Sequence, residues 1–205
     1  MKTIAIISQK GGSGKSTLAR HAAAMLPRAA LIDLDPQGTS RRWVERRREA
    51  GHKNPGFTVA KWDKLPGFQE SLTAYGAGYL FIDTPPSHDD ERAIRSAIEI
   101  SDLILVPVKP TPEDIEVLAG VEKLIADTPR IYVMSMTNPR SNLYATTRTL
   151  LEKRGLVAPV GIVNRVAYPE SSFAGLTVAE YDPSGPAAQE MKALMKYIKK
   201  ELGDG

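Results

Sequence analysis

A glycine-rich loop near the amino terminus is the segment of this sequence best suited to chemistry. It reads Gln-Lys-Gly-Gly-Ser-Gly-Lys-Ser-Thr over residues 9–17, between an apolar run and an alanine-rich stretch. Its glycines let backbone N–H groups approach an anion, and a helix beginning near Lys15 would direct its positive end at the same point. Lys15 would reach the β- and γ-phosphates of a nucleotide, and the Ser16 hydroxyl would ligate Mg²⁺. The loop therefore predicts a phosphate-binding site.

Two acidic segments follow other apolar runs and would complete such a site. Residues 33–37 read Asp-Leu-Asp-Pro-Gln, and a carboxylate at a strand end could orient water beside a bound γ-phosphate. Asp83 closes the apolar run 79–82, and we expect it to hold Mg²⁺ through a water molecule, because Mg²⁺ keeps several of its waters. The alternatives are a solvated turn for the first segment and a helix-capping acid for Asp83.

These segments need a scaffold, and the hydrophobic pattern predicts one. Short apolar, β-rich runs predict seven strands, at residues 3–7, 30–34, 57–60, 79–82, 103–108, 131–134 and 160–163. Helical patterns lie between and after them, at residues 15–26, 40–50, 67–75, 89–100, 112–125, 143–153 and 186–202. Several runs are apolar throughout, which is typical of parallel strands covered on both faces. We therefore expect a doubly wound α/β sheet that binds ligands at the carboxyl ends of its strands.

Two of the predicted helices carry start signals. Thr111 precedes Pro112 and two acids, which supplies a cap, a favourable first residue and negative charge at the helix start. Ser87 precedes His88 and three acids in a similar arrangement. We expect Thr111 and Ser87 to cap these two helices.

Composition excludes several classes of protein. The 205 residues are 42% hydrophobic and 25% charged, as in soluble globular proteins, and they suffice for one domain. Cysteine is absent, which excludes disulfides, thiolate metal sites and a catalytic thiol. The three histidines are far apart in sequence, so a metal site made only of histidines is not expected.

The apolar runs also argue against export. The first is shorter than a signal peptide requires, and none approaches the roughly 18 apolar residues of a membrane span. We expect a cytoplasmic protein with a single domain over residues 1–205 and no amino-terminal DNA-reading domain.

The phosphate loop departs from the common pattern in an informative way. The pattern G-x-x-x-x-G-K-[ST] fails at its first position, where Gln9 replaces glycine, and Lys10 follows. The segment from Lys10 to Ser16 resembles the deviant Walker A motif of the ParA/MinD family of ATPases. The resemblance implies an ATP-dependent homodimer in which the Lys10 ammonium crosses to the partner subunit's nucleotide. One more ammonium there would help to neutralise the charge on the phosphoryl oxygens in the transition state.

The resemblance covers nearly the whole chain and implies roles for further residues. Asp35 would orient or activate the attacking water, and Asp33 would support the site from behind. Asn138, in Thr-Asn-Pro, would lie against the purine edge, although a turn-forming Asn-Pro is the alternative. Residues 84–86 resemble the family's second switch, a loop that could sense the γ-phosphate.

The complete expected site has three groups of residues. The catalytic residues are Lys10, Lys15 and Asp35, the magnesium ligands are Ser16 and Asp83, and the ATP-binding residues are Lys10, Gly11, Gly12, Ser13, Gly14, Lys15, Ser16, Thr17 and Asn138.

Basic segments could contact DNA phosphates without reading sequence. Residues 41–49 carry five arginines and two acids, and the alternative is a solvated helix face with Glu–Arg pairs. The last predicted helix has one apolar face, which favours docking on the sheet over a basic amphipathic membrane anchor. Docking would leave its lysines, Lys192, Lys196, Lys199 and Lys200, free for DNA. Arg165 lies in a segment that resembles the DNA-contacting region of ParA-type proteins, and it is carried over from there.

The resemblance implies a ParA-type ATPase that segregates plasmid or chromosome DNA. In that interpretation the MgATP dimer binds nucleoid DNA non-specifically, and a centromere-binding adaptor protein stimulates its slow hydrolysis. The alternatives are a positioning ATPase for a protein cargo and a membrane-associated, MinD-like division regulator. A metabolic ligase or synthetase is a weaker option, which would need a second substrate pocket. All share the same nucleotide chemistry, so the motifs leave the choice open.

Overall fold

A computed structural model describes residues 1–86 and 89–203, which build a seven-stranded, fully parallel sheet. The strands are β1 (Lys2–Ile6), β2 (Ala29–Asp33), β3 (Gly56–Val59), β4 (Tyr79–Asp83), β5 (Leu103–Val108), β6 (Arg130–Met134) and β7 (Leu156–Val157). Their spatial order is β3-β2-β4-β1-β5-β6-β7. Strands β2, β4 and β5 are buried along their whole length, as expected of central strands covered on both faces.

Helices cover both faces of the sheet. Within the described ranges they are α1 (Lys15–Met25), α2 (Thr39–Glu49), α3 (Leu65–Ala74), α4 (Glu91–Glu99), α5 (Pro112–Glu116), α6 (Leu118–Ile125), α7 (Asn142–Glu152), α8 (Ala167–Phe173), α9 (Val178–Tyr181) and α10 (Pro186–Glu201), with a short 3₁₀ turn at Trp62–Lys64. Successive residues of one strand enter opposite cores, as Ile4 and Ala5 of β1 do. The predicted doubly wound α/β fold is confirmed.

The last strand lies earlier than predicted. β7 spans Leu156–Val157, whereas in the predicted range 160–163 only Val163 pairs, in a single bridge with Thr137. The chain does stay beside β6, but Pro159 has no N–H to donate to a ladder. The segment also passes very close to the end of β6, because a Cβ on Gly161 would lie 2.6 Å from the carbonyl oxygen of Met134. The prediction of a strand at 160–163 is therefore wrong.

The helix starts agree in part with the sequence signals. Thr111 caps α5 as predicted, since its Oγ1 accepts a hydrogen bond of 3.3 Å from the Asp114 N–H. The single helix predicted over 112–125 is interrupted at Val117, which gives α5 and α6. For α4 the cap is Asp90, whose Oδ1 accepts from the Ala93 N–H at 3.1 Å. The expected cap Ser87, with His88, lies outside the described residues.

Two short helices, α8 and α9, were not predicted. One signal for α9 is present in the sequence, the Thr-x-x-Glu spacing of Thr177 and Glu180. The Thr177 hydroxyl accepts from the Glu180 N–H at 3.2 Å, and the Glu180 carboxylate accepts from the Thr177 N–H at 2.8 Å, so both halves of a capping box are present. Of the two, α8 forms part of the wall of a cavity described below.

The carboxyl-terminal helix docks on the sheet by its apolar face. Met191, Leu194, Met195 and Ile198 are buried, while Lys192, Lys196 and Lys200 are exposed, as predicted. Among the described residues, no helix combines the length and apolar character needed to cross a bilayer.

Candidate nucleotide-binding site

The glycine-rich loop leaves the carboxyl end of β1 and enters α1. Gly12 and Gly14 have φ angles of +71° and +94°, a left-handed conformation that glycine adopts without strain. Gly14 is also closely packed, because a Cβ there would lie 2.6 Å from the Ser135 hydroxyl oxygen. The turn aims the first N–H groups of α1 at the end of the sheet, which is the arrangement an anion requires.

A cavity of about 300 Å³, called the phosphate cavity below, lies against this loop. Its lining includes much of the expected site, namely Gly11, Gly12, Gly14, Lys15, Ser16, Thr17 and Asp35, together with Arg20, Gln37, Thr39, Pro86 and Met136. Ser13 is buried below it and shares a 2.6 Å hydrogen bond with Ser8. The fold therefore gathers the loop and one of the acids around one space.

Lys15 is held in place by its own loop. Its Nζ donates to the Ser8 hydroxyl and to the Lys10 carbonyl, each at 3.1 Å. An ammonium has three donors, so one remains for a ligand in the cavity. Burial lowers the pKa of Lys15, while the carboxylates of Asp83, Asp35 and Asp89 act in the opposite direction. Lys15 is thus a pre-positioned cation beside the phosphate cavity.

Asp83 ends β4 in a fully buried position. Its Oδ2 accepts from the Ser40 hydroxyl at 2.6 Å, while its Oδ1 has no hydrogen-bond partner among the described residues. Burial raises the pKa of Asp83, and the nearby hydroxyls of Ser40 and Ser16 and the cation of Arg20 act to lower it. An orphaned carboxylate oxygen close to a serine hydroxyl fits a hard cation such as Mg²⁺. When bound, Mg²⁺ supplies positive charge to phosphoryl oxygens.

Asp33 and Asp35 play different structural parts at the end of β2. Asp33 is buried, and its two carboxylate oxygens accept from the N–H groups of Asp35 and Arg41, each at 3.0 Å. Burial, together with the charge of Asp83, raises the pKa of Asp33 to about 6. Asp33 therefore fixes the backbone from behind, while Asp35 faces the cavity and also accepts from the Gln37 N–H at 2.9 Å.

We expect the substitution Asp35→Ala to keep the ATP-bound state but to slow hydrolysis by about 10²- to 10⁴-fold, the usual contribution of a group that orients or deprotonates a nucleophile. Single-turnover phosphate release would measure this, with Asp63→Ala as a control, because Asp63 is exposed and does not line the cavity. Normal turnover in the Asp35 variant would remove Asp35 from the catalytic residues.

Lys10 does not line the phosphate cavity of its own chain. Its Nζ donates at 3.0 Å to the carbonyl oxygen of Glu113, in the first turn of α5. The backbone carbonyl of Lys10 accepts from Lys15, so the two lysines share one loop but point in different directions.

A second cavity, of about 480 Å³, adjoins the first between α1, α2 and α8. Its walls are apolar at Met136, Ile162 and Val163, a setting suited to a nucleoside. Ser135 and Tyr168 also line it, and the hydroxyl of each is buried without a hydrogen-bond partner among the described residues.

Asn138, expected at the purine, is not part of this cavity. Its side chain is exposed, and its Oδ1 accepts from the Arg140 N–H at 3.1 Å, which closes a local turn. The polar side chains that do line the cavity include those of Ser135, Asn164 and Tyr168. Sequence analysis missed these three, which come from segments after β6 and after β7. Of the three, only Ser135 has a sequence signal, because it directly follows an apolar strand.

Two arginines expected as DNA contacts are engaged within the fold. Arg47 is fully buried and makes a bidentate ion pair with Glu180, with N–O distances of 2.7 and 2.8 Å. Arg165 pairs with Glu190, with a shortest N–O distance of 2.6 Å. By contrast, Arg41, Arg42 and Arg48 of α2 are exposed. The arginine-rich helix thus offers a smaller basic surface than its sequence indicated.

Comparison with known proteins gives a consistent assignment. Residues 4–203 match the family model described as the CobQ/CobB/MinD/ParA nucleotide binding domain. The chain is 31% identical to the maintenance of carboxysome distribution protein A of Gloeobacter kilaueensis, over 98% of this chain and 94% of that protein. It is 25% identical to the chromosome-partitioning ATPase Soj of Thermus thermophilus, over 97% of this chain and 95% of that protein.

A solved structure supports the same fold. MinD from Pyrococcus horikoshii, complexed with Mg-ADP, superposes with a TM-score of 0.73 at 17% identity, covering 98% of this chain and 97% of that one. The chain therefore belongs to the CobQ/CobB/MinD/ParA family of nucleotide-binding domains and is an ATPase of the ParA/MinD type.

Proposed function

We propose that this ATPase dimerises around MgATP, binds nucleoid DNA non-specifically in the cytoplasm, and distributes a protein cargo. The position of Lys10 carries the proposal. Its ammonium lies outside its own phosphate cavity, on the Glu113 carbonyl, so it is available to a nucleotide held by a second copy. A cation that arrives only on dimerisation makes hydrolysis depend on assembly.

Sedimentation velocity tests the dimer directly. We expect a monomer with ADP and a dimer with MgATP or a non-hydrolysable analogue. A monomer under both conditions would contradict the proposal.

The choice of cargo is supported by the relatives. The relative that is 31% identical is named for the distribution of carboxysomes, which favours a protein assembly as the cargo. DNA segregation with a centromere-binding adaptor is the second candidate, favoured by the likeness to the chromosome-partitioning ATPase Soj. Deletion of the gene separates them, because loss of even spacing of a protein assembly supports the first, and loss of plasmids or chromosomes supports the second. In either case an adaptor bound to the cargo would stimulate hydrolysis.

We expect DNA binding to require ATP and to weaken steeply with salt, because released counterions drive it. The exposed residues Arg41 and Arg48, changed together to alanine, should reduce the salt slope by about 0.9 for each DNA phosphate that they neutralise in the wild type. Co-sedimentation with DNA at several salt concentrations would measure this.

A matched double variant on α10, with the exposed residues Lys196 and Lys200 changed to alanine, locates the surface. An effect confined to the lysine variant would place the DNA on α10 rather than on α2. ATP-dependent pelleting with anionic liposomes but not with DNA would overturn the DNA step and favour a membrane-associated regulator.

A further inference from the structure

Arg20 of α1 is a buried cation at the junction of the two cavities. Its side chain lines both, and the residue is only 5% exposed. Thr17, which also lines both, lies one helical turn before it. In a nucleotide the α-phosphate joins the outer phosphates to the nucleoside, so a nucleotide spanning both cavities would place its α-phosphate at this junction.

Among the described residues, most N–H donors of the Arg20 guanidinium have no hydrogen-bond partner. Its Nε donates to the Ser16 carbonyl at 2.9 Å and its Nη2 to the Thr17 hydroxyl at 3.3 Å. A guanidinium has five N–H donors, so three remain after these two. Within the described ranges its guanidinium makes no ion pair of 4.0 Å or less, and the carboxylates of Asp83 and Asp33 act on it from a greater distance. Burying a charge without a direct ionic partner is costly. Burial lowers the pKa of Arg20 to about 10, which leaves it charged at neutral pH.

Arg47 shows what a structural buried arginine looks like in the same protein. Both guanidinium groups lie over the Trp43 ring, Arg20 at 5.7 Å and Arg47 at 5.2 Å from its centroid. Arg47, however, makes five hydrogen bonds, two of them to the Glu180 carboxylate. A role in packing against Trp43 accounts for the position of Arg20 but not for the donors that have no partner among the described residues. Arg20 lines a space in which an anion would satisfy them.

We propose that the Arg20 guanidinium binds the α-phosphate of the nucleotide. This rests on the proposed nucleotide site, and it divides the phosphates between two cations. Lys15 serves the β- and γ-phosphates, as expected for a phosphate-loop lysine, while Arg20 serves the phosphate nearest the nucleoside. Arginine suits this task because its planar fork can bind two phosphate oxygens at once.

Calorimetric titration with adenosine, AMP, ADP and ATP tests the assignment. Arg20→Met keeps the length and packing of the side chain but removes the charge. We expect it to weaken AMP, ADP and ATP by a similar factor, about 10- to 100-fold, and to leave adenosine unchanged. Lys15→Met should give a different pattern, in which the loss grows from AMP to ATP. Arg48→Met, an exposed arginine of α2, is the matched control and should change none of the four.

The ratio of AMP to adenosine affinity decides the outcome. An unchanged ratio in Arg20→Met, or an equal loss for adenosine, would overturn the role of Arg20. Arg20→Lys keeps a charge but not the fork, so its ratio should fall between those of the wild type and Arg20→Met. If Arg20→Met does not fold, a wild-type ratio in Arg20→Lys overturns the role of Arg20. Failure of the wild type to bind ATP or ADP would instead overturn the proposed nucleotide site.

Discussion

Replacement of Lys10 by alanine is expected to lower ATP turnover by about 10³-fold or more, the range measured for cations supplied in trans to a transferred phosphoryl group. Affinity of the monomer for ATP should remain close to that of the wild type, because Lys10 does not line its own phosphate cavity. Steady-state hydrolysis and equilibrium binding of a fluorescent ATP analogue would measure the two effects separately. Lys109→Ala is the control, since Lys109 lies close by beside Asp114, 3.9 Å away, and also outside the cavity.

A mixing experiment distinguishes action on the partner's nucleotide from action on the chain's own nucleotide. In a dimer of one Lys10→Ala chain and one Asp35→Ala chain, the first chain keeps its own Asp35 and receives Lys10 from the second. If Lys10 acts across the interface, an equal mixture should recover about a quarter of wild-type turnover, because half of the dimers are mixed and each has one complete site. If Lys10 serves its own chain, the mixture should stay inactive. Wild-type turnover of Lys10→Ala alone would exclude both roles.

The phosphate loop could be predicted from sequence because its chemistry is local. Residues 9–17 contain the glycines, the lysine and the hydroxyl, and the apolar strand before them fixes where they lie. Asp33 and Asp83 could be placed because each ends an apolar run, and parallel strands bring such ends to one edge of the sheet. Their register confirms this, since Asp33 of β2 pairs with Asp83 of β4.

Features that depend on partners far along the chain could not be predicted. Arg47 and Glu180 are 133 residues apart, and nothing in the arginine-rich segment distinguishes the one arginine that is buried. Arg165 looked available for DNA, but Glu190, on α10, pairs with it. The second cavity was missed for the same reason, because its walls come from α1, α2, α8 and the segments after β6 and β7.

The substitution Arg47→Met should destabilise the protein by about 3–5 kcal/mol, the usual cost of removing one partner from a buried ion pair. The methionine would fill much of the space, but the Glu180 carboxylate would lose its two charged donors, and the carbonyl oxygens of Asn54 and Gly175 would lose theirs. Urea unfolding at pH 7 would measure the change. Arg48→Met, on the exposed side of the same helix, should stay within about 0.5 kcal/mol of the wild type.

The pH dependence of stability tests whether loss of the Arg47–Glu180 pair causes the destabilisation of Arg47→Met. Burial alone would raise the pKa of Glu180, but hydrogen bonds from Arg47 and Thr177 lower it to about 2, from an ordinary value of 4.5. The folded state thus binds fewer protons than the unfolded state in this range, so the stabilisation is complete above pH 4.5 and is lost as the pH falls towards 2. It amounts to at most about 3 kcal/mol before solvent screening reduces it.

Without Arg47 the pKa of Glu180 should return towards its ordinary value, and this acid-dependent loss should largely disappear from the unfolding curves. The same result bears on DNA binding, because joint replacement of Arg46, Arg47 and Arg48 would weaken binding through lost stability as well as through lost charge. Wild-type stability of Arg47→Met at pH 7 would show instead that Arg47 contributes little to the fold.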